Sequence, residues 1–235
     1  SEDVSPREYI FVVDVSGSMN GFPIDVSKEL IRNLLMNIRP TDLFNVVLFA
    51  GTSYQASEKS IPATKENIEN AVEIINDQSG SGSTEILPAL KKSLEIKKAP
   101  GFSRSYVIIT DGYVTVEKEV FDLIRNNLSE SNFFAFGIGS SVNRYIIKGI
   151  AHAGAGEAFI VTNKDEANQT ANKFMKYIKT PVSSDIKIEY QDFEAFDIEP
   201  VSVPDLFAER PVLVYGKWKG KAKGTKKKTG KRTRN

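Results

Sequence analysis

Three short stretches of this chain carry side chains that could hold a hard cation. The first is "FVVDVSGSMNG", residues 11 to 21, where Asp14, Ser16 and Ser18 recur at a spacing of two. The second is "SGSGSTEI", with Thr84, and the third is "SYVIITDG", with Asp111. Two carboxylates and three hydroxyls are all hard oxygen donors, and no His or Cys stands among them. Such a set suits Mg2+, Mn2+ or Ca2+ and is poor for Zn2+ or Cu2+. Side chains at i, i+2 and i+4 of a D-x-S-x-S loop can point the same way around an ion, and Gly17 and Gly21 allow the tight backbone path. Few protein charges would face the ion, so it would keep waters and an open position that attracts a carboxylate or phosphate. Taken alone, Asp14, Ser16 and Ser18 would equally suit a capped turn before a helix. Thr84 and Asp111, at matching strand ends, favour the cation.

These stretches must be brought together by the elements around them. Short, nearly continuous apolar runs occur at 9–15, 43–50, 105–111, 132–139 and 157–161. Rich in Val, Ile and Phe, they read as strands buried on both faces. Amphipathic segments alternate with them. In "IDVSKELIRNLLMNIRP", Leu30, Ile31, Leu34, Leu35 and Ile38 recur at helical spacing and Pro40 ends the helix. In "TKENIENAVEIIND", Thr64 and Asn67 form a capping-box pattern. Four further helices are expected in "EILPALKKSLEIKK", "VEKEVFDLIRNNL", "RYIIKGIAHAG" and "DEANQTANKFMKYIK".

Strand then helix, repeated, predicts an α/β fold: a doubly wound, mostly parallel sheet with helices on both faces. Residues 52–57 are expected as an antiparallel edge strand. Ligands of such a sheet bind beyond the carboxyl ends of its strands, the rim on which all three stretches fall. The expected division is a lead at 1–6, the α/β domain at 7–180, a β-rich extension at 181–219 and a disordered basic tail at 220–235. The extension alternates polar and apolar residues, as at Ile186, Ile188 and Tyr190, and is too short to make its own core.

Bulk composition narrows the function. Of 235 residues, 40% are hydrophobic, enough for one sizeable core. The formal net charge of +1 hides an asymmetry, because residues 216–235 hold ten Lys or Arg and no acid. The preceding body carries 21 basic and 30 acidic groups, which argues against nucleic acid as its main partner and fits a cation site. The chain has no cysteine, so disulfides and thiolate metal sites are excluded. No apolar run approaches the ~20 residues of a membrane span, so no transmembrane segment is expected. The polar opening "SEDVSPREYIF" carries no signal peptide and reads as a piece of something longer.

"DVSGSM", the later Thr84 and "TDG" resemble the metal-ion-dependent adhesion site (MIDAS) of von Willebrand factor A domains, a D-x-S-x-S, T, D pattern in the same order. The resemblance covers about residues 7 to 180. It implies a Rossmann-like fold, metal binding by Asp14, Ser16 and Ser18 from the first loop, Thr84 from the second and Asp111 from the third, with the aspartates able to act through water. It implies that the ion, Mg2+ or else Mn2+ or Ca2+, captures a Glu or Asp carboxylate of a partner protein, with extracellular matrix a further partner class. "STEILPAL", "ITDGYV" and "PDLFAERPVLVYGKWKG" look like the inter-α-trypsin-inhibitor heavy-chain group, in which a VIT domain precedes this domain. That group implies a VIT domain in the full-length protein and an extracellular, cell-surface or periplasmic location. Where those relatives often carry a second glycine before the threonine, this chain has Ser83.

The reading is therefore a binding module and not an enzyme. The alternatives are a Mg2+-dependent phosphotransfer enzyme, which would want a D-x-D pair where Ser16 stands, and an intracellular scaffold subunit of a chelatase-like assembly. The single histidine, His152, is read as structural, Glu85 as a first-turn helix acid, and the basic tail as a solvated end.

Overall fold

The computed structural model of the protein describes residues 6–113, 116–178, 181–191, 194–200, 203, 205–207, 213–220 and 225–232. The chain runs β1 (Arg7–Asp14), α1 (Phe22–Asn37), β2 (Leu43–Phe49), β3 (Ser53–Gln55), β4 (Ile61–Pro62), α2 (Lys65–Asn76), α3 (Ile86–Glu95), β5 (Ser103–Thr110), α4 (Glu117–Asn126), β6 (Ser131–Ile138), α5 (Arg144–Ala153), β7 (Ala158–Val161) and α6 (Lys164–Ile178). The sheet order is β3-β2-β1-β5-β6-β7, with β4 also pairing β2. Pairings among β1, β2, β5, β6 and β7 are parallel, whereas β3 and β4 join β2 antiparallel. The edge strand expected at 52–57 is β3; β4, two residues long, gives no apolar run to read.

Alternation along each strand divides the core between two faces. Tyr9, Phe11 and Val13 of β1 pack with Leu30, Ile31, Leu34 and Leu35 of α1, Ile75 of α2 and Phe174 of α6. Ile10 and Val12 face the other way, onto Leu90 of α3, Val120 of α4 and Ile147 of α5. Each fully buried side chain of this kind is worth about 1.5–3 kcal/mol relative to exposure. The helix ends follow local chemistry. Pro23 sits in the first turn of α1, and the Asn67 N–H of α2 donates to Thr64 Oγ1 at 3.3 Å.

Polar residues at the amino-terminal edge of the sheet are buried and paired. Arg104 donates Nε to Glu8 Oε2 at 2.8 Å and Nη2 to Oε1 at 2.7 Å. The Ser60 hydroxyl at 2.6 Å and the Ala99 N–H at 3.3 Å complete the carboxylate's shell. Asp42, buried beside them, accepts from the backbone N–H of Arg7 and from the Arg39 guanidinium.

Beyond α6 come β8 (Pro181–Gln191), β9 (Glu194–Glu199), β10 (Leu206–Phe207), β11 (Tyr215–Lys219) and β12 (Thr225–Arg232). They form a β10-β8-β12 sheet and a β11-β9 pair. No side chain of β9 or β11 is fully buried. Asp205, just before β10, reaches back to the α/β domain. It accepts from the Ser103 hydroxyl and from Asn132 Nδ2, and its N–H donates to Asn132 Oδ1 at 3.0 Å.

Where composition predicts a disordered basic tail over 220–235, Thr225–Arg232 instead form β12, antiparallel to β8. A ladder needs only backbone groups, and lysines are well tolerated on an edge strand, the position β12 occupies. The rest of that stretch from 221 on, and residues 1–5 of the lead, lie outside the described residues.

Candidate metal centre

The switch in sheet order falls between β1 and β5. The chain leaves β1 toward β2 on one side and returns to β5 on the other. The loops after these two strands therefore emerge side by side at the carboxyl rim, the usual crevice of such folds. Register pairs Val13 with Ile109, so Asp14 ends β1 level with the end of β5, and Asp111 follows one step beyond Thr110.

The first loop turns at once into a short helical turn, Gly17–Met19. The Ser16 N–H donates to Asp14 Oδ1 at 2.9 Å, folding the loop back over its own carboxylate. The second loop docks through the backbone: Gly17 N–H donates to Gly82 O at 2.8 Å and Ser81 N–H to Val15 O at 2.9 Å. This docking delivers Thr84, whose hydroxyl donates to Ser16 Oγ at 2.9 Å, while Ser16 Oγ lies 3.1 Å from Ser18 Oγ. Three hydroxyl oxygens thus form a chain with Ser16 at its middle. Adjacent ligands of an octahedral Mg2+, at about 2.1 Å from the metal, are about 3.0 Å apart, so the observed spacings of 2.9 and 3.1 Å fit such a shell.

The carboxylates lie beneath. Asp14 and Ser16 are fully buried, Asp111 is nearly so, Thr84 is half-buried and Ser18 is exposed. Burial pushes the Asp14 carboxyl above the usual carboxylate range; hydrogen bonds from Ser16 and Thr110 oppose the shift, and the charge of Asp111 adds to it. That last effect places the two carboxylates as electrostatic neighbours. A cation arriving from solvent would meet Ser18 and Thr84 first, with Ser16 and the two carboxylates buried behind them. All five residues singled out from the sequence therefore share one rim. Among the described residues, no cluster of three or more His, Cys, Asp or Glu side chains offers a different kind of metal site.

Thr110 is the residue the sequence reading missed. Its hydroxyl donates to Asp14 Oδ2 at 2.5 Å and accepts the Gly112 N–H at 3.0 Å, tying the first loop to the third. The available signal was its place at the end of a buried run, directly before Asp111. Glu85, read as a first-turn helix acid, is the exposed residue preceding α3. His152 lies exposed in the last turn of α5, distant in the fold from the carboxyl rim.

Gly112 turns the third loop with φ +85°, and a Cβ there would come within 2.4 Å of Ile146 Cγ2 and 3.0 Å of Asn143 O. The Asn143 N–H donates to Asp111 O at 2.9 Å, so the start of α5 clasps this loop. Gly112→Ala must strain both the backbone and this contact. It is expected to cost about 2–4 kcal/mol in urea unfolding; a loss below 1 kcal/mol, on the order of a tolerated surface change, would contradict the packing described.

Comparison with known proteins identifies the fold and the family. A family model described as the von Willebrand factor type A domain matches residues 7–160. The chain is similar to von Willebrand factor A domain-containing protein 5B1 of Mus musculus, 31% identical over 212 residues that make up 89% of this chain and 17% of that protein. It is similar to inter-alpha-trypsin inhibitor heavy chain H3 of Bos taurus, 26% identical over 227 residues, 91% of this chain and 26% of that protein. The chain thus spans only a minor part of the curated relatives it matches. Among solved structures, a von Willebrand factor type A protein from Catenulispora acidiphila superposes with a TM-score of 0.72 at 15% identity, over 98% of this chain and 56% of that one. The manganese-loaded TRAP protein of Plasmodium vivax does so with a TM-score of 0.56 at 18% identity, over 73% of this chain and 74% of that one.

Proposed function

Since this chain belongs to the von Willebrand factor type A domain family, whose members generally mediate metal-dependent protein–protein binding, we propose that it is a binding module. In this reading one divalent ion, held at the carboxyl rim, captures an acidic side chain of a partner protein. The observation that carries the reading is the hydroxyl chain of Thr84, Ser16 and Ser18 above the buried pair Asp14 and Asp111. Three of the five donors are neutral hydroxyls, so with the aspartates acting through water the ion would keep charge for an outside carboxylate. Mg2+ suits the spacing, and the manganese carried by a fold relative supports an ion of this kind. Cell-surface or matrix adhesion, an extracytoplasmic location and an accompanying VIT domain are parts of the same proposal, supported by the likeness to an inter-alpha-trypsin inhibitor heavy chain. Among the described residues, no helix is long and apolar enough to cross a membrane.

The test is calorimetric titration of the full chain with Mg2+ and with Mn2+. Wild type is expected to bind one ion and to melt at a temperature that climbs with the logarithm of its concentration. Asp111→Ala, which removes a carboxylate without touching the hydroxyls, is expected to weaken binding at least tenfold. Equal binding by wild type and Asp111→Ala would refute the ligand assignment.

A further inference from the structure

Five large apolar or aromatic side chains of the α/β domain are exposed among the described residues: Phe22, Met36, Tyr54, Tyr113 and Tyr145. Only Met36, in the last turn of α1, lies away from the carboxyl rim. The other four, 46% to 70% exposed, stand toward the carboxyl-rim end of the sheet: Phe22 and Tyr113 beside loops that bear the candidate ion site, Tyr54 on β3 opposite Leu48 near the end of β2, and Tyr145 in the first turn of α5. Phe22 opens α1 directly behind the first loop. Tyr113 follows Asp111, its N–H donating to Asp111 Oδ1 at 3.2 Å and its hydroxyl to Ser141 O at 3.1 Å. Tyr145 opens α5 beside Asn143, with its ring set edge-on to Phe121. Tyr54 stands on β3 and walls a cavity of about 260 Å³ whose lining is mainly polar, with Thr52, Asp77, Gln78, Ser79 and Ser81 beside Val15 and Leu48.

Scattered apolar residues on a surface need no explanation, but four aromatics gathered at one end do. Tyrosines already held by backbone and ring contacts lose little freedom on binding, which makes them efficient interface anchors. The cavity reaches Val15, which lies between Asp14 and Ser16 in the chain, but none of the five candidate site residues lines it. It is the size of one side chain, and Asp77 in its lining disfavours a second acid there.

We propose that these aromatics form a collar that sets partner specificity: the module takes a protein loop bearing a single acid flanked by apolar side chains, not any exposed carboxylate. The ion would bind the acid, and the Tyr113–Tyr145 side would cover an apolar flank. This inference rests on the metal reading above.

The probes are two disulfide-closed peptides of equal length, each with one Glu, flanked in one by Leu and Pro and in the other by Ser and Asn. Binding to the full chain is measured by interferometry with Mg2+ and with EDTA. With Mg2+, the apolar-flanked peptide is expected to bind about tenfold tighter than the polar one. A Tyr113→Ser/Tyr145→Ser double variant should lose that preference while keeping the Mg2+-induced rise in melting temperature, which reports an intact fold and ion site. Mg2+-dependent binding that ignores the flanks, or a preference that survives in the double variant, overturns the collar alone. Binding unaffected by EDTA overturns the metal reading and the collar with it.

Discussion

Arg104→Ala is expected to destabilise the protein by about 3–5 kcal/mol, the cost of leaving a buried carboxylate without its counter-charge. The guanidinium meets both oxygens of Glu8, and neither residue is more than 4% exposed. It also donates to Ile96 O at 2.5 Å, so its loss strands a buried carbonyl as well. For a chain of this size the melting temperature should fall by roughly 10 °C. The control is the pair Glu8→Met and Arg104→Met together. Removing both charges leaves nothing ionised to desolvate, so the double variant should recover much of the loss. If Arg104→Ala costs under 1 kcal/mol, or if the double variant is worse than the single, the pair is not the buried lock described. Neither change touches the carboxyl rim, so Mg2+ binding to the folded fraction should persist.

The second large effect concerns Asp14. Its folded-state pKa lies above the unfolded one because burial disfavours the charge. The sign follows directly. The contribution of this group to the cation-free protein is full below the ordinary carboxylate pKa and is lost as pH rises through the raised value. As pH rises through that value, ionising Asp14 therefore subtracts from stability. Asn at this position keeps an acceptor for the Ser16 N–H, and the Thr110 hydroxyl can turn to accept. Without metal, Asp14→Asn should melt no lower than wild type at about pH 7.5. With Mg2+ at about a hundred times its Kd, wild type should gain about 2.7 kcal/mol and the variant almost none. Lowering the pH to about 5 should shrink the wild-type gain, because a proton competes with the ion for Asp14. Scanning calorimetry with and without Mg2+ at both values checks this. A variant that still gains the full increment would show that Asp14 contributes nothing to the site.

The sheet was legible because its strands are apolar on both faces, and runs such as "YIFVVDV" leave little else to be. Helices announced themselves through spacing, Thr64 through its cap. What the sequence hid is polar and long-range. Glu8 and Arg104 look like ordinary charges at strand starts, and only the pairing of β1 with β5 reveals that they face each other inside. Thr110 reads as one more β-branched strand residue until its hydroxyl is found on Asp14. The basic stretch at 225–232 defeats compositional reasoning because its order comes from the backbone ladder with β8. For the site, the five named residues do meet at one rim. Their closeness could be argued from strand ends, but the hydroxyl chain and the buried depth of the carboxylates could not.

The topology that assembles this rim carries a kinetic meaning. The hydrogen bond from Thr84 to Ser16 spans 68 positions of the chain, and that from Thr110 to Asp14 spans 96. No stretch of local sequence can pre-form the donor cluster, so an unfolded or half-folded chain offers an ion only scattered single carboxylates. Closing loops of this length carries an entropic cost that must be met before any long-range contact forms. An ion that needs both closures arrives after the steep part of folding is over. The effect of such an ion would then fall on the escape rate from the native state, holding a loaded module together more than helping it form.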